Sequence, residues 1–187
     1  MASRLWLIRH GETAWSLSGQ HTSTTDLALT AEGERKAAEV GKLLAGKKFS
    51  AVYSSPMIRA RETCRIAGYG DGVTVTDDLR EWNYGSYEGL TTSEIQKSAP
   101  GWSIWNAPPP GGETIAQVAE RARRVIGSTP DGDVAIFGHG HMLRVLAACW
   151  LETAPEMGRC FALSTGSISL LGYERETRVI QGWNRTE

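Results

Sequence analysis

The sequence predicts an α/β fold, a three-layer α-β-α sandwich built around a mostly parallel sheet. Two observations carry that prediction. Short apolar runs, several rich in β-branched residues, alternate with longer stretches whose apolar residues recur at helical spacing. Most runs are separated by a helix-length segment, the connection that parallel neighbours need, and helices so placed cover both faces of a sheet.

Taken in order, the first run is LWLI (5–8), which ends on Arg9-His10. The stretch 29–46 reads as a helix capped by Thr30, with Ala37, Val40, Leu43 and Leu44 on one face. AVYSS (51–55) is a second strand, stopped by Pro56 and followed by a helix through Arg59–Ala67. VTVT (73–76) is a third strand. Residues from about 80 to 112 are aromatic-rich, weakly periodic and hold the one notable Pro/Gly cluster. This segment reads as an excursion covering a pocket, so 1–187 is expected to form a single domain. Ile115, Val118, Ala119, Ala122, Val125 and Ile126 mark an amphipathic helix. DVAIFGHGH (133–141) is an apolar strand breaking at Gly138-His139-Gly140, and MLRVLAACWL (142–151) a mostly buried helix. SISLLGYE (167–174) and TRVIQGW (177–183) close the chain as a hairpin whose outer edge is open to pairing with a second copy.

Composition narrows the function classes. With 187 residues, 41% hydrophobic and 22% charged, the chain can bury a sizeable core. A net charge of -1 with interspersed signs gives no footprint for nucleic acid or anionic lipid. No stretch reaches the ~18 apolar residues of a membrane span and no long apolar segment precedes Arg9, so a cytoplasmic protein is expected. Cys64, Cys149 and Cys160, odd in number and set among apolar residues, suit reduced core thiols.

In such a sheet ligands bind beyond the carboxyl ends of the strands. The first strand ends in Arg9-His10, the second is followed by Arg59, and the 133–138 strand ends in His139. All four histidines, His10, His21, His139 and His141, fall in or beside these turns. One Arg or His after a strand is usually a solvated turn residue, but three such ends at one edge argue for a site. Arg9 and Arg59 would repel a metal ion, and zinc-type ligand spacing is missing, so neither metal nor cofactor is expected. Arginines with histidines suit an anion, and a phosphoryl group needs forked donors for its oxygens. A histidine can itself attack phosphorus. His10, on a glycine-flanked turn, is the better nucleophile, with His139 a cationic ligand for a phosphoryl oxygen. The leaving oxygen needs a proton from an acid raised by the incoming negative charge, and Glu81, Glu88 and Glu12 are the nearby choices.

LIRHGETAW, TDLALTAEG, SSPMIRARET, LREWNYGSYEG, GGET and GHGHMLR occur in this order and span almost the whole chain. Together they resemble the signatures of the histidine phosphatase superfamily, which includes the cofactor-dependent phosphoglycerate mutases and many small phosphatases. The resemblance implies a phosphoglycerate mutase-like fold. It also implies His10 as nucleophile, Arg9, Arg59 and His139 as the rest of the phosphate pocket, and Glu81, four residues before Gly85, as proton donor. Thr22 matches a substrate-contacting Thr, and the backbone near Thr165-Gly166 resembles the loop that closes the phosphate site. Ser16 stands where mutases usually have Asn, and Ser23 where they usually have Gly. GETAWSLSGQHTSTTDLALT with REWNYGSYEGLT is most similar to bacterial acid phosphatases and sedoheptulose-bisphosphatase-type enzymes. Mutases also carry a longer insertion and a C-terminal tail that shields the phosphoenzyme, whereas this chain stops at GWNRTE. The implied activity is therefore metal-independent hydrolysis of small phosphorylated metabolites, sugar phosphates among them. A mutase and a non-catalytic phospholigand-binding module are the alternatives. Trp82, Tyr84 and Trp105 are expected to wall the substrate pocket, with Gln20 and His21 reaching a sugar or second phosphate. Glu113 is expected to favour a helix start, and Glu88 to orient an arginine or backbone groups.

Overall fold

The computed structural model describes residues 3–186. Its strands are β1 (Arg4–Arg9), β2 (Ala51–Ser54), β3 (Thr74–Val75), β4 (Asp133–Gly138), β5 (Ile168–Glu174) and β6 (Thr177–Arg185), in one sheet of order β3-β2-β4-β1-β5-β6. The first four are mutually parallel, β5 runs antiparallel to β1, and β6 pairs antiparallel with β5 at the sheet edge. This is the mostly parallel α/β sheet that the alternating pattern predicts. The helices are α1 (Ala14–Ser18), α2 (Ala31–Leu43), α3 (Ile58–Ile66), α4 (Thr92–Ser98), α5 (Ile115–Ser128) and α6 (Gly140–Trp150).

The two central strands are apolar on both faces, and their alternation builds two cores. Ile8, Ala135 and Phe137 face a layer formed by Val40 and Leu44 of the α2 region and Cys64 of α3. Leu5, Leu7, Val134 and Ile136 face the opposite layer, formed by Val118, Ala122 and Val125 of α5 and Val145 and Leu146 of α6. Cys64, Cys149 and Cys160 are free thiols, the first two buried as expected, whereas Cys160, at the end of the 3₁₀ turn Pro155–Cys160, is exposed and not a core residue. No described helix is long and apolar enough to cross a membrane.

Register positions the site. Arg9 pairs with Gly138, the His10 N–H donates to the Gly138 carbonyl (3.0 Å), and the Ser55 N–H donates to the Phe137 carbonyl (3.0 Å). The three strands therefore end level, and His10, His139 and Ser55 emerge side by side. The 133–141 run stops being a strand at Gly138 because His139 is already the extended N-cap residue of α6. Helices α1 and α4 leave no periodic signal in the sequence because each is under two and a half turns. Capping boxes define their starts, Thr13 with Ser16 and Thr91 with Glu94.

Candidate active site

His10 is mounted just past β1, on a loop that two glycines let approach α2. A Cβ on Gly11 would lie 2.3 Å from the Gly33 carbonyl oxygen, so the backbones touch where no side chain fits. The Gly11 N–H donates to Thr63 Oγ1 (2.9 Å), tying the loop to α3 as well. His10 Nδ1 lies 2.7 Å from the Gly11 carbonyl oxygen, which can only accept, so Nδ1 carries the proton and Nε2 keeps its lone pair. Burial, then Arg9 and Arg59, hold this imidazole well below the usual histidine range. The ring is therefore neutral, with a fixed tautomer and an unprotonated Nε2.

Arg9 donates through Nη1 to the Leu163 carbonyl, while its buried Nε has no acceptor among the described protein atoms. Its guanidinium lies against Gly140, where a Cβ would sit 3.3 Å from Cζ. Arg59 is fully buried behind His10. It donates to the carbonyls of Thr25 (3.0 Å) and Ser23 (3.2 Å), and its Nε donates to His139 Nδ1 (3.2 Å). That last bond settles the state of His139: Nδ1 accepts, and Nε2 donates to Ser55 Oγ at 2.7 Å. The expectation of a cationic His139 is therefore corrected. Burial first, then Arg59, His10 and Arg9, push it well below the usual range, and its ring stands edge-on to His10 at 5.2 Å.

Glu81 meets His10 across a cavity of about 170 Å³ that both residues line, together with Arg9, Tyr84, His141 and Arg144. Its carboxylate accepts backbone N–H groups from Trp82 (2.9 Å), His141 (3.0 Å) and Met142 (2.8 Å), the latter two at the start of α6. Of the three carboxylates open at the sequence level, only Glu81 lines this cavity. Glu12 is turned to Thr30 (2.9 Å) and Lys36, and Glu88 to Ser23 and Thr25. Tyr84 donates or accepts at His141 Nδ1 (2.6 Å).

Ser16, Gln20, His21 and Thr22 line the same cavity as Tyr84. Five further expected contacts do not reach it. Ser23 is buried with its hydroxyl on Glu88 (2.5 Å). Trp82 is a core residue whose indole N–H donates to the Glu113 carbonyl (2.8 Å). Trp105 stacks edge-on against Trp82 and under the Arg144 guanidinium, backing the wall and not forming it. The Gly166 N–H donates to the carbonyls of Arg9 and His10, and the Thr165 hydroxyl meets Lys36 Nζ (3.3 Å). That loop supports the strand end from behind. Arg59 and His139 likewise back His10 and lie outside the cavity lining. Sequence reasoning left out Trp15 and Arg144 as lining residues; Arg144 had a signal, the arginine that ends the quoted GHGHMLR run.

The profile of the histidine phosphatase superfamily (branch 1) matches residues 5–186. The chain is 40% identical over 181 residues to an acid phosphatase of Mycobacterium tuberculosis, covering 94% of this chain and 89% of the relative. It is 35% identical over 185 residues to the sedoheptulose 1,7-bisphosphatase of Saccharomyces cerevisiae, covering 80% and 68%. The solved structure of a Mycobacterium tuberculosis open reading frame product matches with TM-score 0.92 and 38% identity over 98% of each chain. A mycobacterial glucosyl-3-phosphoglycerate phosphatase solved with vanadate matches with TM-score 0.87 and 27% identity, covering 98% of this chain and 99% of that one. With its motifs in order and its profile match nearly end to end, the chain belongs to the histidine phosphatase superfamily, branch 1.

Proposed function

We propose that this phosphoric monoester hydrolase acts on small phosphorylated metabolites through a phosphohistidine, without a metal ion. The observation that carries the reading is the pairing of a neutral, tautomer-fixed His10 with a buried Arg9 whose Nε has no protein acceptor, facing Glu81 across one cavity. In the first step the Nε2 lone pair of His10 attacks phosphorus and the ester P–O bond breaks. The leaving oxygen takes its proton from the Glu81 carboxyl group, which is left as a carboxylate. In the second step water attacks the phosphohistidine, giving its proton to the Glu81 carboxylate, and inorganic phosphate leaves as His10 returns to the neutral ring. Arg9 donates to the phosphoryl oxygens, and Arg59 and His139 hold His10 and its charge environment in place.

The outer cavity narrows the substrate. Ser16, Gln20, His21 and Thr22 offer hydroxyl, amide and imidazole groups, and Arg144 adds a cation. Such a lining suits a short polyhydroxy ester, a sugar phosphate or a phosphorylated hydroxy acid, and relatives bearing sugar-phosphatase names are consistent with it. Residues of the excursion, Glu81 and Tyr84, cover this space.

Denaturing alkaline quench during turnover of a phosphate ester should trap label on His10. A fully active His10→Ala enzyme would sink the mechanism, as would loss of activity in EDTA. A mutase is distinguished by product: isomerised phosphoglycerate with no free phosphate released.

A further inference from the structure

We propose that Arg121 and Glu113, outside the reaction cavity, are positioning residues that fix Glu81. The inference rests on the acid role of Glu81 given above. Arg121 projects from α5 and Glu113 precedes it, and neither lines the cavity of His10. Arg121 grips Glu113 as a fork, Nε to Oε1 at 2.9 Å and Nη2 to Oε2 at 2.7 Å. Its remaining nitrogen, Nη1, donates to the carbonyls of Asp78 and Arg80, both at 2.9 Å. Glu113 continues the grip on the other side of Glu81. Its Oε2 accepts the Asn83 N–H (2.9 Å), its backbone carbonyl accepts the Trp82 indole N–H (2.8 Å), and its own N–H donates to the Asn83 carbonyl (3.0 Å). The two side chains thus hold the backbone of residues 80 and 83, the Glu113 backbone holds the Trp82 indole, and residue 81 lies between them.

The segment needs such a brace because it has little regular structure of its own. A single 3₁₀ turn (Asp77–Leu79) precedes it, a second (Gly85–Tyr87) follows, and Glu81 sits in irregular backbone between. A carboxyl group on an irregular segment is aimed only as well as its supports allow. Arg121 supplies those supports from the helix that packs against α6, whose first N–H groups bind the Glu81 carboxylate. The acid and the helix end it rests on are therefore referenced to the same element. With side-chain exposures of 12% and 21%, the Arg121–Glu113 pair is also shielded, unlike the surface pairs of Arg35 or Arg65. Bidentate arginine geometry gives orientation as well as attraction, which a lysine ammonium cannot copy.

The test compares two esters: glycerol 2-phosphate, whose poor leaving group needs an acid, and p-nitrophenyl phosphate, whose leaving group does not. Arg121→Lys should lower kcat/KM on glycerol phosphate about tenfold and on the nitrophenyl ester by less than about twofold, a constant that ends with formation of the phosphohistidine and so is blind to the later hydrolysis that both esters share. Glu113→Gln, which keeps size but loses the charge that binds the fork, should show the same selective loss. It serves where Arg121→Lys does not fold. Arg35→Met, which breaks the exposed pair with Glu32 on α2, is the control and should leave both esters unchanged. Equal losses on both esters in the Arg121 and Glu113 variants, or a drop in melting temperature with the ratio intact, would overturn the proposal. Glu81→Gln run beside them separates the two readings. If it shows the leaving-group dependence and the brace variants do not, the brace fails and the acid role stands; if it shows none, both fall.

Discussion

Gly33→Ala sets two local rules against each other at a position packed against the loop that carries His10. Gly33 is the third residue of α2 and its N–H donates to the Thr30 cap at 3.0 Å. On helix propensity alone, alanine should stabilise the protein by about 1 kcal/mol. The contact decides otherwise, because the added Cβ would lie 2.1 Å from the Glu12 carbonyl oxygen and 2.8 Å from the Glu12 nitrogen. Both are backbone atoms with no rotamer to yield. Restoring an ordinary contact near 3.4 Å requires about 1.3 Å of movement between α2 and the 10–12 loop. Overpacking of this kind costs about 1–3 kcal/mol, which cancels or exceeds the helical gain. The larger effect is on catalysis. A shift of about 1 Å in a reacting group costs on the order of 10²-fold, and the loop that must move carries His10. Steady-state turnover of p-nitrophenyl phosphate with thermal melting would check this. The expected result is kcat lowered about 100-fold with a melting temperature unchanged or lower. A variant within threefold of the parent kcat and more stable than it would refute the steric reasoning.

The other predictions are briefer. Burial pushes the Glu88 carboxyl up, but hydrogen bonds from Ser23 and Thr25 outweigh it and hold it below the usual range. These are the residues whose carbonyls grip Arg59, so Glu88→Gln should loosen Arg59 and weaken inorganic phosphate inhibition about tenfold, read as Ki. Arg144→Met should raise KM about tenfold for an ester with a second negative charge while sparing p-nitrophenyl phosphate, read from paired saturation curves. His10, His139 and His141 all sit well below the usual histidine range because of burial first. The unfolded chain therefore binds more protons as pH falls below about 6.5, so each residue removes up to about 1.4 kcal/mol of stability per pH unit down to its folded pKa. Denaturant melts from pH 8 to 5 should show that decline, and a His139→Asn variant should show a shallower one.

The layers, and the sheet edge at which the arginines and histidines meet, were legible because they depend on local pattern. LWLI and DVAIFG are short apolar runs that end in polar residues, and a parallel sheet brings such ends level. What a pattern does not carry is which way a side chain turns after the backbone has placed it. Trp82 and Ser23 are each beside a site residue in sequence, yet the first turns into the core and the second toward Glu88. Thr165-Gly166 meets the Arg9 and His10 carbonyls from behind because the loop before β5 returns on the far side of β1. His139 was legible as a site residue but not in its protonation state, which is set by an Arg59 bond spanning 80 positions of sequence. Arg121 gave no signal at all, since its partners, residues 78, 80 and 113, are scattered and two of its contacts are backbone carbonyls.

The electrostatics around His10 bear on how readily a phosphoryl group would leave the ring. Burial disfavours an imidazolium at His10, and the charges of Arg9 and Arg59 disfavour it further. The same charges have the opposite effect on a phosphoryl group, which they attract. The site thus favours a neutral ring and a bound phosphoryl group separately, while opposing the positive ring of a phosphohistidine whose Nδ1–H is still held by the Gly11 carbonyl. A weakly basic imidazole is also the better leaving group from phosphorus, for the reason that low-pKa thiols leave fastest in exchange. Attack loses some intrinsic nucleophilicity by this arrangement, but the nitrogen remains unprotonated into the acid range, where a more basic histidine would be blocked. The breakdown step gains directly. A depressed His10 therefore favours breakdown of the intermediate by whichever acceptor reaches phosphorus, and because the superfamily's mutases share the pocket of His10, Arg9, Arg59 and His139, the rest of the cavity lining decides between water and a second ester.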